Sequence, residues 1–145
     1  MYLIDTSVVS LFDPRLRGEA GAAIAWMERH DRLLFLSAVT VLELERGLLA
    51  LRREGAERRA AVIEALRDAL LRDFGPRILP VDAEVALVAA RLAEAPDAVP
   101  LPGLLVAATA RSRGFTVLTR DPGRFAATGV AALDPLAGLP PDIGA

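Results

Sequence analysis

Four short apolar runs, Tyr2-Leu3-Ile4, Leu33-Leu34-Phe35-Leu36, Ile78-Leu79-Pro80-Val81 and Phe115-Thr116-Val117-Leu118, are set apart by one or two helix-patterned stretches each. Strands spaced this way are not hairpin partners, because a dozen or more intervening residues, usually helical, are what carry a chain from one strand to a parallel neighbour. Right-handed crossovers then lay helices on both faces of the sheet. The first run is bulky at consecutive positions rather than alternating, the pattern of a strand buried on both sides. The chain of 145 residues is therefore expected to form a single α/β domain over 1–145. Its architecture is a three-layer α/β/α sandwich around a four- or five-stranded parallel sheet.

The helical stretches carry their own start and stop signals. Residues 15–30 place Ala22, Ala23, Trp26 and Met27 at helical spacing. Ser37 is set to cap a helix running to Arg53, whose apolar face is broad: Val39, Leu42, Leu44, Leu48, Leu49 and Leu51. Such breadth suits contact with the sheet and with a second subunit. Gly55 breaks the chain, and residues 56–73 form the other arm of a helical hairpin. Asp82 caps a helix to about Ala95 that buries Val85, Leu87, Val88, Ala89 and Leu92. Three prolines make 96–102 an irregular loop, after which a helix of small residues begins at Gly103 and stops at Gly114. A short helix, a last small strand and a proline-bearing tail complete the chain.

Composition removes several chemistries. The chain has no cysteine, so disulfides and thiolate metal sites are excluded, which fits a reducing, cytoplasmic compartment. All 17 basic residues are arginine, which excludes Schiff-base chemistry and a phosphate-binding P-loop lysine. The single histidine, His30, stands beside Asp31 at a helix end and reads as a surface residue, leaving no histidine triad or zinc site. Charges interrupt every long apolar run, so no membrane span is expected, and Asp5 follows the first apolar residues too soon for a secretory signal. A hydrophobic fraction of 53% exceeds what a small core needs and points to self-association or a partner.

The first run ends abruptly in Asp5-Thr6-Ser7. In an open α/β sheet ligands bind at the carboxyl ends of the strands, where this aspartate lies. The same three residue types are also preferred helix N-caps, and local sequence supports both readings equally. What separates them is whether other carboxylates return to the same edge. Two candidates do: Glu43, early in the helix after the second strand, and Asp121, in the Thr119-Arg120-Asp121 turn after the fourth. Clustered carboxylates repel unless a cation joins them, and Mg²⁺ is satisfied by one or two carboxylates with waters and phosphate oxygens. Such a cluster suits metal-assisted phosphodiester hydrolysis. Taken singly, Glu43 is an ordinary solvated helix residue and Asp121, before Pro122, an ordinary cap.

The segments MYLIDTSVVS, SAVTVLELERG, LLVAATARSRGFTVLTRD and RFAATGVAALDP, in this order and at these separations, resemble PIN-domain ribonucleases of the VapC toxin type over nearly the whole chain. The resemblance implies a PIN-like fold and Mg²⁺- or Mn²⁺-dependent endoribonuclease activity on RNA. It also implies a homodimer and a cognate VapB-type antitoxin, whose docking segment is expected to cover the broad face of the Ser37 helix and set an arginine against the acidic pocket. Carried over by position, Asp5, Glu43 and Asp121 are the catalytic acids, with Asp5 and Asp121 as metal ligands. Thr6, Ser7, Thr119 and Arg120 are the polar residues beside them. Two positions depart from the pattern. Gly103 stands where the family has a third, metal-binding aspartate, and Arg124 stands where another aspartate is common. Asp97 lies beyond a proline-rich stretch and is not expected to substitute. Glycine is an acceptable N-cap, so the fold is expected to tolerate Gly103 while metal affinity falls, and Gly103→Asp is expected to raise RNA cleavage with Mn²⁺.

Four alternatives frame that reading. A catalytically dead PIN domain would bind RNA or antitoxin only, the helix N-terminus at Gly103 still favouring phosphate. Haloacid-dehalogenase-type phosphatases and response-regulator receivers need a downstream lysine, which this chain lacks. A structural dimerisation domain would hold no ion near Asp5.

Overall fold

The computed structural model describes residues 1–142. Five strands form one wholly parallel sheet: β1 (Tyr2–Ile4), β2 (Leu34–Ser37), β3 (Ile78–Leu79), β4 (Thr116–Leu118) and β5 (Ala132–Leu133). Their order is β3-β2-β1-β4-β5, which puts the first strand at the centre. Successive crossovers move outward on one side of β1 and then return to its other side at β4. The gap between β1 and β4 is thus the point where the direction of winding switches, the place where such sheets open a crevice.

Side chains of the strands alternate between two apolar layers, as the pleat requires. Tyr2, Ile4, Leu34, Leu36 and Leu118 face a cluster with Val8 and Val9 of α1 (Thr6–Val9) and Ile24, Trp26 and Met27 of α2 (Arg17–Arg29). Leu44 of α3 (Ala38–Arg53) and Leu70 and Phe74 of α4 (Glu57–Phe74) complete that layer. Leu3 and Val117 face the opposite layer, built from Val106, Ala107 and Ala110 of α6 (Leu101–Arg113) and from Phe125. A third cluster joins Val85 and Ala89 of α5 (Ala83–Leu92) to Leu104 and Ala108. The alanines let α6 lie close to both the sheet and α5, and so the helix is buried nearly all round, as a central helix must be. Tyr2 meets Trp26 edge to face, with ring centres 5.3 Å apart.

The caps follow the sequence reading. Ser37 accepts a hydrogen bond from the Val39 N–H at the start of α3, and Asp82 accepts one from Val85 at the start of α5. Gly114 ends α6 at φ +69°, a left-handed conformation that costs glycine little. α3 and α4 form the expected hairpin, tied by ion pairs of Arg67 with Glu45 and of Arg52 with Glu64.

Several boundaries differ from expectation. α6 begins at Leu101 with Pro100 as its N-cap, so Gly103 lies inside the first turn and caps nothing. Proline at the second helical position loses no hydrogen bond there, which is why the proline-rich loop can turn directly into helix. β3 stops at Leu79 because Pro80 cannot donate to the ladder. α2 is preceded by a 3₁₀ turn at Pro14–Leu16, and α5 ends at Leu92. Leu87, expected inside, is 63% exposed: α5 packs through Val85 and Ala89, and Leu87 points the other way. His30 is not a free surface residue, since its ring stacks on Trp26 at 4.5 Å and its Nδ1 contacts the Trp26 carbonyl at 2.8 Å. No helix among the described residues is long and apolar enough to cross a membrane.

Candidate active site

Register alone brings the first part of the site together. Ile4 pairs with Leu36 on one side and with Leu118 on the other, so Asp5 and Thr119, each one residue further on, emerge side by side at the carboxyl edge of the sheet. The Asp5 N–H donates to the Leu118 carbonyl, which continues the ladder by one step and fixes that placement.

Asp5 stands at the N-cap position of α1 yet makes no side-chain cap, and the two readings of its sequence context separate here. Its carboxylate is 2% exposed and turns into the crevice instead. Oδ2 accepts from the Thr119 hydroxyl at 2.9 Å and from the Ser7 hydroxyl at 3.1 Å. A buried carboxylate is stable only when donors replace its lost water, and these two hydroxyls are chief among them. Ser7 Oγ in turn accepts from the Arg120 N–H, and Thr119 Oγ1 from the Asp121 N–H. The β4 turn is thereby stitched to the start of α1. Glu43, half-buried on α3, accepts from the Thr6 hydroxyl at 2.8 Å, and so both carboxylates are served by the Asp5-Thr6-Ser7 turn.

Of the residues singled out from sequence, Asp5, Ser7 and Thr119 thus join one hydrogen-bonded network, and Thr6 and Glu43 form a separate pair beside it. Arg120 and Asp121 reach the network through their backbone N–H groups. The Asp121 residue is exposed, and its carboxylate makes no ion pair or hydrogen bond with another described side chain. Arg120 instead turns its side chain toward Asp134, 3.5 Å away.

Arg124 completes the pocket, and sequence reasoning noted it only as a missing aspartate. The 3₁₀ turn Pro122–Thr128 delivers its guanidinium to a point 3.8 Å from Asp5 Oδ1, above the Phe125 ring at 5.0 Å. Gly103 lies directly against it: a Cβ there would stand 2.8 Å from Arg124 Nη2. Gly103, Arg124, Pro100, Pro102 and Glu43 line a depression of about 150 Å³. Glu43 also borders two neighbouring depressions, one of about 330 Å³ with Arg46 and Arg53 and one of about 310 Å³ with Arg59. A central carboxylate is therefore rimmed by arginines. Their helical spacing from Glu43, at 43, 46 and 53 along one face of α3, was the signal that could have located two of them.

The donor set does not fit a divalent ion as it stands. A hard cation needs several oxygens free to converge on it. Here Asp5 Oδ2 is engaged by two hydroxyls, Asp5 Oδ1 faces a guanidinium, and Glu43 Oε1 is engaged by Thr6. Among the described residues no three acidic, histidine or cysteine side chains are grouped to hold a metal.

Comparison with known proteins adds the lineage. Residues 2–130 match the family model described as PIN domain. The chain is 33% identical over 144 residues to Toxin FitB of Neisseria gonorrhoeae, covering 93% of this chain and 98% of that protein. It is 33% identical over 141 residues to VapC ribonuclease Y4jK of Sinorhizobium fredii, covering 93% and 97%. The crystal structure of FitAcB from Neisseria gonorrhoeae superimposes with a TM-score of 0.75 at 31% identity, covering 93% of this chain and 98% of that one.

Proposed function

This chain belongs to the PIN domain family, and from that premise we propose that it is the toxin of a toxin–antitoxin pair, engaging RNA at the Asp5 pocket with its ribonuclease chemistry attenuated. The names carried by its relatives, a toxin and a VapC ribonuclease, support the class. The observation that carries the reading is the buried Asp5 carboxylate at the carboxyl end of the central strand, held by Thr119 and Ser7, with Glu43 beside it rimmed by Arg46, Arg53 and Arg59.

An RNA backbone meets that rim first. Arg46, Arg53 and Arg59 surround Glu43 on the open side, where guanidinium groups can pair with phosphate oxygens and set the strand over the pocket. Divalent Mg²⁺ or Mn²⁺ is the cofactor the family resemblance implies, and it would supply an activated water and a cation for the leaving oxygen. The residues present do not fit such an ion, and cleavage is accordingly slow. The second reading, a binding module that no longer cuts, is favoured by Arg124 at Asp5.

The exposed Leu42 and Leu49 of α3, 54% and 44% accessible, belong to the broad face on which a second copy of the chain or the antitoxin would seat. The test is co-expression with the product of the adjacent gene, followed by RNA binding and cleavage assays on the freed protein. A stable complex, RNA retention, and cleavage with Mn²⁺ barely above that of Asp5→Asn are expected. Fast Mn²⁺-stimulated cleavage abolished by Asp5→Asn would restore a full nuclease. Failure to bind either RNA or the partner would overturn the toxin reading.

A further inference from the structure

The two residues at which this chain leaves the pattern it resembles, Gly103 and Arg124, meet at one point in the structure. We propose that the Arg124 guanidinium is the resident cation of the acidic pocket, neutralising Asp5 in place of a divalent ion, and that Gly103 is the residue that admits it. The proposal rests on the acidic pocket described above, and neither RNA nor a protein partner enters it.

Charge is the first ground. Asp5 is almost wholly buried, and Arg124 is the one cation in ion-pair reach of it among the described residues, at 3.8 Å. Space is the second. A Cβ at position 103 would stand 2.8 Å from Nη2, 3.2 Å from Nε and 3.3 Å from Cζ, so every other residue at 103 collides with the guanidinium where it now lies. Confinement is the third. Nε is shielded from water and finds no acceptor, and the Phe125 ring holds the guanidinium from one side. The guanidinium is thus confined at Nε while the side chain stays 35% exposed, and its one acidic neighbour within ion-pair reach among the described residues is the carboxylate it faces. A divalent ion entering beside it would meet like charge, and a carboxylate that is already compensated.

The consequence is that positions 103 and 124 act as a unit. In Gly103→Asp the new side chain grows into the guanidinium. Arg124 is long and flexible at that end, so it shifts and pairs with the added carboxylate, and no ion site opens. Only when Arg124 is shortened as well are the carboxylates left without a resident cation. On this proposal Gly103→Asp by itself brings no gain in Mn²⁺-dependent chemistry, contrary to what the sequence leads one to expect.

Four proteins decide the matter: the natural chain, Arg124→Ala, Gly103→Asp, and the double variant. Each is titrated with Mn²⁺ by calorimetry and melted with and without Mn²⁺, with no RNA or partner present. The natural chain and Gly103→Asp are expected to show no saturable binding below about 1 mM. Arg124→Ala is expected to melt lower than the natural chain without metal and to recover with Mn²⁺, because its buried Asp5 has lost its counter-charge. The double variant is expected to bind at least about tenfold more tightly than Arg124→Ala. Binding by the natural chain as tight as that of the double variant overturns the proposal, as does full recovery in Gly103→Asp alone. A folded double variant that binds no Mn²⁺ overturns it too. Should the double variant not fold, the absence of any Mn²⁺-dependent recovery in Arg124→Ala overturns it by itself. Any of these results leaves the toxin reading standing, and a failed partner capture leaves the metal result standing.

Discussion

Thr119→Val isolates the hydroxyl on which the buried aspartate depends. Valine keeps the branched shape and loses only the oxygen, so the substitution opens almost no cavity in the fully buried position that Thr119 occupies. Three contacts disappear with it: the 2.9 Å hydrogen bond to Asp5 Oδ2, the 3.2 Å bond received from the Asp121 N–H and a 3.4 Å contact with the Ser7 hydroxyl. The second is replaceable, because Asp121 is exposed and water can take over. The first is not, because Asp5 is 2% exposed and its remaining contacts are Ser7 at 3.1 Å and Arg124 at 3.8 Å, beyond hydrogen-bond range. A hydrogen bond to a charged group contributes about 1.5–3 kcal/mol, and with Ser7 still in place the expected loss is about 2 kcal/mol. For a chain of this size that is a drop of about 4–8 °C in melting temperature. Trp26 is the single tryptophan and is 1% exposed, so its fluorescence follows urea unfolding directly. An unfolding free energy within about 0.5 kcal/mol of the natural chain, the range of an ordinary surface substitution, would refute the claim that Thr119 solvates Asp5.

Two further outcomes follow from the packing and the electrostatics. Leu48→Ala, at a fully buried site on the inner face of α3, should cost about 2–5 kcal/mol in a denaturant titration. A loss below about 1 kcal/mol would show that the α3–α4 hairpin closes over the gap. Asp13 is held below the ordinary carboxylate value, chiefly by the Arg15 guanidinium and also by the Arg15 backbone N–H. A carboxylate depressed in the folded state stabilises fully above its unfolded value near pH 4 and loses that contribution as pH falls through its folded value. Urea midpoints measured from pH 6 downward should therefore fall less steeply below about pH 4 in Asp13→Asn than in the natural chain. Parallel profiles would exclude the pairing as the cause.

Much of the fold is visible in the sequence because it rests on local rules. The runs 2–4, 33–36, 78–81 and 115–118 became strands within a residue or two, and the helices between them dictated parallel pairing. Ser37, Asp82 and Gly114 did what their side chains, or the lack of one, predispose them to do at helix ends. Part of the site was legible for the same reason. Parallel strands in register end level with one another, so polar residues directly after β1 and β4 had to meet, and Asp5 and Thr119 do.

What the strand register does not reach was decided in three dimensions. Asp5 could cap α1 or turn inward, and its sequence context allows both; the Thr119 hydroxyl across the crevice, with Ser7 beside it, holds it inward. Arg77 gives no sequence signal, yet it donates to the carbonyls of Leu34 and Asp73 and lies 4.7 Å over the Phe74 ring, closing the end of α4 onto β2. Arg124 stands 119 positions from Asp5 in the chain and reads there as an ordinary arginine after a proline turn. Only the approach of α6, with glycine at the point of contact, leaves a space in which its guanidinium can face that carboxylate. Helix caps and strand ends are properties of neighbouring residues and can be written locally. A counter-charge for a buried acid is a property of whatever the fold brings within a few ångströms, and that is settled only when the layers pack.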